Sequence, residues 1–187
     1  LAEEGLEFTI LAPGQCAAVR PPGMGWTPLS KGGVDVTRPY EVLLPSGRRI
    51  TVIFYHGGVS HAIAFGGLLS SGDRFAEYLM GQIPEDGEPR LLVVATDGES
   101  YGHHHRFGEM ALARAFQVLA SSREVALTNV GAFLRHHAPT WEARIVENSS
   151  WSCAHGVERW RSDCGCHTGG EPGWHQRWRA PLRRALD

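Results

Sequence analysis

Short apolar runs alternate with amphipathic stretches along this chain. Four of the runs are strand-like, and they cover residues 8–11, 50–55, 91–95 and 143–147. Runs of this length that are apolar at nearly every position are typical of strands covered on both faces, as in a parallel sheet between helices. The pattern therefore predicts an α/β fold built on a parallel sheet.

Apolar residues at helical spacing fill most of the intervals between these runs. The predicted helices cover residues 15–20, 59–69, 73–83, 109–120 and 129–137. Pro45-Ser46-Gly47 predicts a turn between the second strand-like run and another strand-like stretch that precedes it. We see no internal repeat and no low-complexity segment.

At each end of the chain, the sequence pattern predicts a helix that is present only in part. Residues 1–4 suit the last turn of a helix that Gly5 ends, and the amphipathic stretch 172–187 reaches Asp187 without a helix stop signal. We therefore expect a fragment of a longer protein. Residues 1–150 would form one partial domain, and 151–187 a segment rich in Trp, Cys and Gly that leads into a continuing helix.

The composition is ordinary for a soluble globular domain. The chain has 187 residues, 42% of them hydrophobic and 20% charged, and its formal net charge is -2. This charge predicts no binding to nucleic acid or to an anionic membrane. No apolar run approaches the ~18 residues of a membrane span, and the N-terminus lacks a basic-then-apolar leader pattern. With only four cysteines, we expect reduced thiols in a cytoplasmic protein.

The densest group of chemically active residues follows the apolar run at 91–95. Asp97 and Glu99 stand two positions apart, and three consecutive histidines follow at residues 103–105. Two neighbouring carboxylates repel when both are ionised, which favours a proton on one of them and provides a general acid. Imidazoles can hydrogen-bond sugar hydroxyls, orient a carboxylate or bind a metal. A solvated turn with surface histidines is the alternative, but the position after a buried run favours a functional site.

Strand ends are where α/β proteins place their chemistry, because the carboxyl ends of parallel strands meet at one edge of the sheet. Asp97 and Glu99 follow one predicted strand, Glu147 stands at the end of another, and His56 follows a third. We therefore expect these residues to face one active-site cleft.

A second candidate region follows the last predicted strand. Five of the six tryptophans lie in the last quarter of the chain. Sugar rings stack on aromatic planes, so Trp151 is a candidate substrate contact, whereas packing is the commoner role and is expected for Trp174 and Trp178. Arg159 and Asp163 could contact sugar hydroxyls or form surface ion pairs.

Cysteine and histidine are concentrated in the same region, at Cys153, His155, Cys164, Cys166 and His167. Cys-x-His followed by Cys-x-Cys-His is a plausible ligand set for tetrahedral zinc, although paired zinc cysteines usually stand further apart. Reduced thiols in a glycine-rich loop, or a redox-labile pair, explain the pattern as well. We predict no cofactor and keep zinc as the alternative.

Two stretches resemble a bacterial branch of glycoside hydrolase family 57: ATDGESYGHHHRFGEMALA and ENSSWSCAHGVERWRSDCGCHTGGEPGWHQRWRAPLRRALD. These proteins form an alpha-amylase/alpha-mannosidase-like group that carries a domain of unknown function. The resemblance runs along the whole chain. It implies the C-terminal half of a parallel (β/α)7-type barrel, the start of a following helical region, and a retaining mechanism on α-linked glucan or a related polysaccharide.

The resemblance also implies residue roles. The family's general acid/base is the aspartate of a strand-end Asp-Gly-Glu motif followed by an aromatic residue and glycine, which corresponds to Asp97 ahead of Tyr101-Gly102. Glu99 and a neighbouring histidine would orient Asp97. The family's nucleophilic glutamate has no counterpart here, so we expect the isolated chain to be inactive. Candidate substrate contacts are His103, His104, His105, Glu147, Trp151, His155, Arg159 and Asp163.

Two other functions are consistent with these residues. A metal-dependent carbohydrate deacetylase would use Asp97 with His103 and His105 as metal ligands, and metal-bound water would attack an acetyl group. A carbohydrate-binding or scaffold protein would bind an oligosaccharide without turnover. The sequence does not indicate an oligomeric state.

Overall fold

The computed structural model describes residues 1–30, 33–166 and 179–186. In these ranges the strands are β1 (Phe8–Leu11), β2 (Cys16–Arg20), β3 (Thr27–Pro28), β4 (Pro39–Leu43), β5 (Arg49–Phe54) and β6 (Trp141–Ile145). The helices are α1 (Gly57–Ala64), α2 (Gly72–Met80), α3 (Gly108–Ser121), α4 (Val130–His136), α5 (Glu158–Arg161) and α6 (Arg179–Leu186). Single 3-10 turns lie at Ala2–Glu4, Pro13–Gln15, Leu68–Ser70 and Gly98–Ser100.

The strands form one mixed sheet in the order β1-β5-β4-β6-β2-β3. β1–β5 and β4–β6 are parallel, whereas β4–β5, β2–β6 and β2–β3 are antiparallel. The α/β class is therefore confirmed, but a parallel sheet is wrong for three of the five pairings between described strands. One cause is the tight turn between β4 and β5, where Gly47 N donates to the Leu44 carbonyl (2.9 Å) and makes the pair a hairpin.

The sheet curves between β1 and β2, as the length of their connection requires. Five residue steps separate Leu11, at the end of β1, from Cys16, at the start of β2, and they span at most about 18 Å. The two strands stand four strand spacings apart in the sheet order, roughly 19 Å if the sheet were flat. Since the 3-10 turn at Pro13–Gln15 shortens the connection further, β1 and β2 must curl toward each other. No pairing closes the sheet among the described strands, so the (β/α)7 barrel stays a prediction.

One face of the sheet holds the first hydrophobic core. Alternate residues of neighbouring strands point into it, as the two-residue period of a strand requires. They are Tyr40, Val42, Ile50, Val52, Phe54 and Ala143, joined by Cys16 and Val19 of β2. A one-residue slip of any of these strands would turn its apolar side chains away from the core, so burial fixes the register.

The helices α1, α2 and α3 form a second core. Its buried members are Val59, Ile63, Leu68, Leu69, Phe75, Ala76, Ala111, Ala115 and Leu119. The predicted helices at 73–83 and 109–120 are confirmed by α2 and α3, and the one at 59–69 is confirmed in part. α1 ends at Ala64, and Gly67 then takes a left-handed conformation (φ 67°) that a 3-10 turn follows. No helix of the described residues is both long and apolar enough to cross a membrane.

The predicted helix at residues 15–20 is wrong, because this segment forms β2. Its alanines favour a helix locally, but Cys16, Ala18 and Val19 are buried in the sheet. β2 pairs with β6 on one side and with β3 on the other. Tertiary pairing therefore overrides the local preference.

The start of β4 is fixed by the carboxylate of Asp35. It accepts hydrogen bonds from the hydroxyl (2.6 Å) and backbone N–H (2.9 Å) of Thr37, and from the guanidinium groups of Arg38 (2.8 Å) and Arg90 (2.7 Å). Burial alone would raise the pKa of Asp35, but these four hydrogen bonds together outweigh it and hold the pKa well below its usual range. The buried Arg90 also pairs with Asp86 and so ties the loop before residue 91 to the sheet.

We expect Asp35→Asn to lower the free energy of unfolding at pH 7 by about 1–2 kcal/mol, a value reduced for the partial exposure of the carboxylate. The folded-state pKa of Asp35 lies below the unfolded value of about 3.9. The ionised carboxylate therefore stabilises the fold above that value, and its contribution is lost as the pH falls through the folded-state pKa. Urea unfolding of both proteins between about pH 3 and pH 7 covers the unfolded-state pKa of an aspartate. The stability difference between Asp35→Asn and the unmodified protein should become smaller as the pH falls.

Asp86→Asn is the matched control, because Asp86 also pairs with Arg90 but is exposed. Because Asp86 is exposed and Arg90 keeps its hydrogen bonds to Asp35 and Thr37, this variant should lose less stability than Asp35→Asn. An equal deficit for both variants, or a deficit for Asp35→Asn that does not change with pH, would contradict the assigned role of Asp35.

Candidate functional site

Residues 91–96, which precede Asp97, pass the carboxyl end of β5 without forming a strand of the sheet. Leu91 N donates to the Thr37 carbonyl (2.9 Å), and His56 N donates to the Val93 carbonyl (2.7 Å). These are isolated hydrogen bonds and not a ladder, so the strand predicted at residues 91–95 is wrong. They nevertheless bring the segment past the carboxyl end of β5, and Asp97 follows Val93 by four residues.

Residues 97–105 form a closed loop, here called the acidic–histidine loop. Asp97 precedes a 3-10 turn in which the N–H of the buried Ser100 donates to the Asp97 carbonyl (3.1 Å). The Tyr101 hydroxyl is 3.0 Å from Oγ1 of Thr96, and Gly102 N donates to the His105 carbonyl (3.1 Å). The loop is therefore held on both sides of its carboxylates.

The two carboxylates of the loop have different surroundings. The Glu99 carboxylate lies 3.5 Å from Nε2 of His104, and both side chains are more than half exposed. Asp97 is also exposed, and its carboxylate has no hydrogen-bond or ion-pair partner in the part of the chain that the structure describes. Two surface depressions, one beside Ser121 and one beside Trp141, are lined by other residues. Asp97 is therefore exposed, and neither depression forms the active-site cleft that was expected around it.

The three histidines have separate roles in the loop. His105 is half-buried, and its Nε2 is 2.9 Å from the Ala64 carbonyl at the end of α1. His104 faces Glu99, and the exposed ring of His103 packs edge-on against the His104 ring at 4.9 Å. Among the described residues, no group of three potential metal ligands includes Asp97 or these histidines.

His56 caps α1, because its Nδ1 accepts a hydrogen bond from Val59 N (3.1 Å). Its ring is therefore engaged in ordering the first turn of that helix. This contact gives His56 a structural role at the end of β5.

Glu147 lies at the other edge of the sheet. β5 ends next to the start of β4, and β6 runs parallel to β4, so β6 begins at the edge where β5 ends. β6 therefore finishes at the opposite edge, and the exposed Glu147 follows it there. The expectation that Asp97 and Glu147 follow strands ending at one edge is wrong, because β6 is not parallel to β5.

The remaining candidate sugar contacts follow Glu147 in the chain. Trp151 is 71% exposed, Asp163 is exposed and Arg159 is half-buried. An exposed tryptophan is available to stack on a sugar ring. His167, Trp174 and Trp178 lie outside the described residues.

Four residues that the alternative zinc interpretation names come together after Trp151 in the chain. Cys153, His155, Cys164 and Cys166, here called the Cys/His cluster, place one donor atom each within 4.8 Å of all the others. The Cys153 sulfur is 3.8 Å from that of Cys164 and 3.4 Å from that of Cys166. Nδ1 of His155 is 3.7 Å from the Cys153 sulfur and 3.2 Å from the Cys166 sulfur. These thiols form no disulfide with one another.

The pKa values of Cys153 and Cys166 shift in opposite directions. Burial would raise the pKa of Cys153, but the His155 backbone N–H and the neighbouring side chains lower it to about 7. The hydrogen bond with Cys153 raises the pKa of Cys166 to about 11. Three thiols and an imidazole at these distances can bind a soft metal ion or, with an oxidant, form a disulfide.

The fold resembles that of a carbohydrate enzyme. The chain is similar to the crystal structure of 4-alpha-glucanotransferase from Thermococcus litoralis, with a TM-score of 0.57 and 18% sequence identity over 87% of this chain. The likeness is one of fold. The chain spans 23% of the length of that protein. No protein-family model and no curated protein matches the sequence.

Proposed function

We propose that this chain is part of an α-glucan-active enzyme of the glycoside hydrolase family 57 type, with Asp97 as its general acid/base. The observation that carries the proposal is the fold likeness to a 4-alpha-glucanotransferase over 87% of the chain. The Asp-Gly-Glu loop with its following Tyr101-Gly102 supports the same assignment. Both observations support the proposal, and the assignment of Asp97 rests on the resemblance of its loop to the family's motif.

In this mechanism Asp97 transfers one proton in each of two steps. In the first step a nucleophilic carboxylate forms a bond to the sugar carbon while Asp97 protonates the departing glycosidic oxygen. In the second step Asp97 takes a proton from water, or from the hydroxyl of an acceptor sugar, as that oxygen displaces the carboxylate. The nucleophile must stand roughly 5–5.5 Å from Asp97, and we propose that it lies outside these 187 residues.

The geometry supports Asp97 because its backbone is held while its carboxylate is unengaged. The loop is closed by hydrogen bonds on both sides, and Glu99 is paired with His104 and not with Asp97. Glu99 can therefore hold His104 in place for a sugar hydroxyl. Because the described residues leave Asp97 exposed, the rest of the protein or the substrate itself would have to exclude water around it.

Substrate contacts divide into two sets under this proposal. His103 and His104 belong with Asp97, since they share its loop. Glu147 and Trp151 follow the strand that ends at the opposite sheet edge. We propose that Trp151, Arg159 and Asp163 form a separate sugar-contacting surface and do not contact the bond that is cleaved.

The test is Asp97→Asn in the full-length gene product, assayed by reducing-sugar release and by glucan transfer from maltooligosaccharides. Loss of a general acid/base should lower kcat by roughly 10²- to 10⁴-fold. Asp73→Asn is the control, because Asp73 is also an exposed aspartate but is paired with Arg114 of α3. Its rate should be unchanged. Equal rates for Asp97→Asn and the unmodified protein would refute the role of Asp97.

Two further measurements on the same variants, glucan binding and acetate release, separate the alternatives. A carbohydrate-binding protein would bind glucan in both forms and show no turnover in either. A deacetylase would release acetate and require a metal at Asp97, but His105 is engaged with Ala64 and the described residues provide no such ligand set. We therefore prefer the glucan-active enzyme, which the fold likeness supports.

A further inference from the structure

Four donor–donor distances in the Cys/His cluster are close to those of a tetrahedral zinc site. Zinc binds thiolate at about 2.3 Å and imidazole at about 2.0–2.1 Å in a tetrahedron, so two sulfurs stand about 3.8 Å apart and sulfur and nitrogen about 3.6 Å. The observed sulfur–sulfur distances from Cys153 are 3.8 and 3.4 Å. The observed distances from His155 Nδ1 to sulfur are 3.7 and 3.2 Å.

We propose that Cys153, His155, Cys164 and Cys166 bind one structural Zn²⁺ ion. Three thiolates and one neutral imidazole fill all four positions of a tetrahedron, which leaves none open for water or substrate. Such a site stabilises the fold and does not perform chemistry on a substrate. This inference does not depend on the proposed glucan activity.

The backbone conformation around the Cys/His cluster brings its four potential ligand atoms together. Gly165 separates Cys164 from Cys166 with a left-handed conformation (φ 79°), which allows both thiols to face one centre. His155 N–H donates to the Cys153 sulfur (3.4 Å), which suits a sulfur that carries negative charge. The donors thus come from two short stretches, 153–155 and 164–166, joined through α5.

The cluster is also anchored to the end of β6. Gly156 has a left-handed conformation (φ 61°), and a Cβ at this position would collide with the Asn148 carbonyl. Val157 N donates to that carbonyl (2.9 Å). A metal ion in the cluster would therefore connect residues 164–166 to the sheet, in a segment that buries few apolar side chains.

A disulfide is the competing outcome, and the histidine argues against it. A Cys153–Cys166 disulfide would need only two of the four donors and an external oxidant that accepts two electrons. It would not use the imidazole of His155, whose Nδ1 lies 3.2 Å from the Cys166 sulfur. A tetrahedral metal site uses all four groups, so we assign His155 to the metal and not to the sugar.

The test is metal binding by the reduced, chelator-treated protein. Titration with Co²⁺ should give one equivalent per chain, with the visible absorption of a tetrahedral ion and a thiolate-to-cobalt charge-transfer band. Zn²⁺ should then displace the cobalt stoichiometrically. Protein purified without chelator should contain one zinc per chain by mass spectrometry of the metal.

Variants identify the ligands. Loss of an outer-shell partner already weakens metal affinity by roughly 10- to 100-fold, so Cys166→Ser and His155→Ala should each weaken it by more than about 100-fold. Cys16→Ala is the matched control, because Cys16 is a thiol buried in β2 outside the cluster. It should bind Co²⁺ like the unmodified protein. His155 is exposed, so its variant is expected to keep the fold, which circular dichroism checks.

Three results would overturn the proposal. The first is the absence of a tetrahedral Co²⁺ spectrum in the reduced protein. The second is an equal loss of affinity in Cys16→Ala. The third is a Cys153–Cys166 disulfide in freshly purified protein that contains no metal. None of these results would alter the assignment of Asp97, since glucan turnover is measured separately.

Discussion

Tyr40→Ala should lower the free energy of unfolding by about 3–5 kcal/mol, because it leaves a cavity at the centre of the sheet core. Tyr40 is fully buried, and its ring contacts the rings of Phe54 and Trp141 at centroid distances of 5.7 and 6.4 Å. It therefore joins three neighbouring strands, β5, β4 and β6. Urea unfolding followed by tryptophan fluorescence and circular dichroism measures the loss.

Tyr40→Phe separates the ring from the hydroxyl. The hydroxyl donates a hydrogen bond to the Asp35 carbonyl (2.8 Å), so its removal should cost only about 1 kcal/mol. If Tyr40→Phe were as unstable as Tyr40→Ala, the hydrogen bond and not the aromatic contacts would account for the role of Tyr40.

Gly72→Ala should lower the free energy of unfolding by about 2 kcal/mol through overpacking between α2 and α3. A Cβ at Gly72 would lie 2.7 Å from the Ala111 carbonyl oxygen and would also collide with Cβ of Arg114. Neither atom is the end of a flexible side chain, so the two helices must separate. This cost exceeds the gain in helix propensity of up to about 1 kcal/mol that alanine brings.

Gly81→Ala, at the other end of α2, is the matched control. Gly81 has a right-handed helical conformation (φ -66°), and its Cβ would lie 3.5 Å from the Glu77 carbonyl, which is an ordinary contact. This variant should be neutral or more stable by up to about 1 kcal/mol. Thermal unfolding of both variants gives the comparison, and a destabilised Gly81→Ala with a normal Gly72→Ala would contradict the helix contact.

The two longest helices of this fold were predictable, whereas the sheet was predictable only in part. α2 and α3 place apolar residues at helical spacing, and a spacing of this kind is visible in the sequence. Residues 16–20 and 91–95 were mispredicted because their outcome depends on partners far away in the chain. β2 becomes a strand by pairing with the distant β6 and with β3, whereas residues 91–95 meet the sheet through isolated hydrogen bonds.

The candidate residues could be named from the sequence, but their positions relative to one another could not be predicted from it. Cys153, His155, Cys164 and Cys166 could be named from spacing, but only the fold shows that their donor atoms converge. The direction of β6 had no local signal, so the separation of Glu147 from Asp97 could not be foreseen. The engagement of His105 with the Ala64 carbonyl likewise depends on where α1 ends.

The place of β6 in the sheet has a consequence for how the chain folds during synthesis. β6 lies between β4 and β2, yet it is made about 100 residues after β4, so these two strands wait with unpaired edges. Long-range pairing of this kind slows folding and exposes nascent chains to aggregation. A chain whose translation stops before Trp141 would lack β6. The edges of β4 and β2 that pair with β6 would then stay unpaired and could associate with other chains.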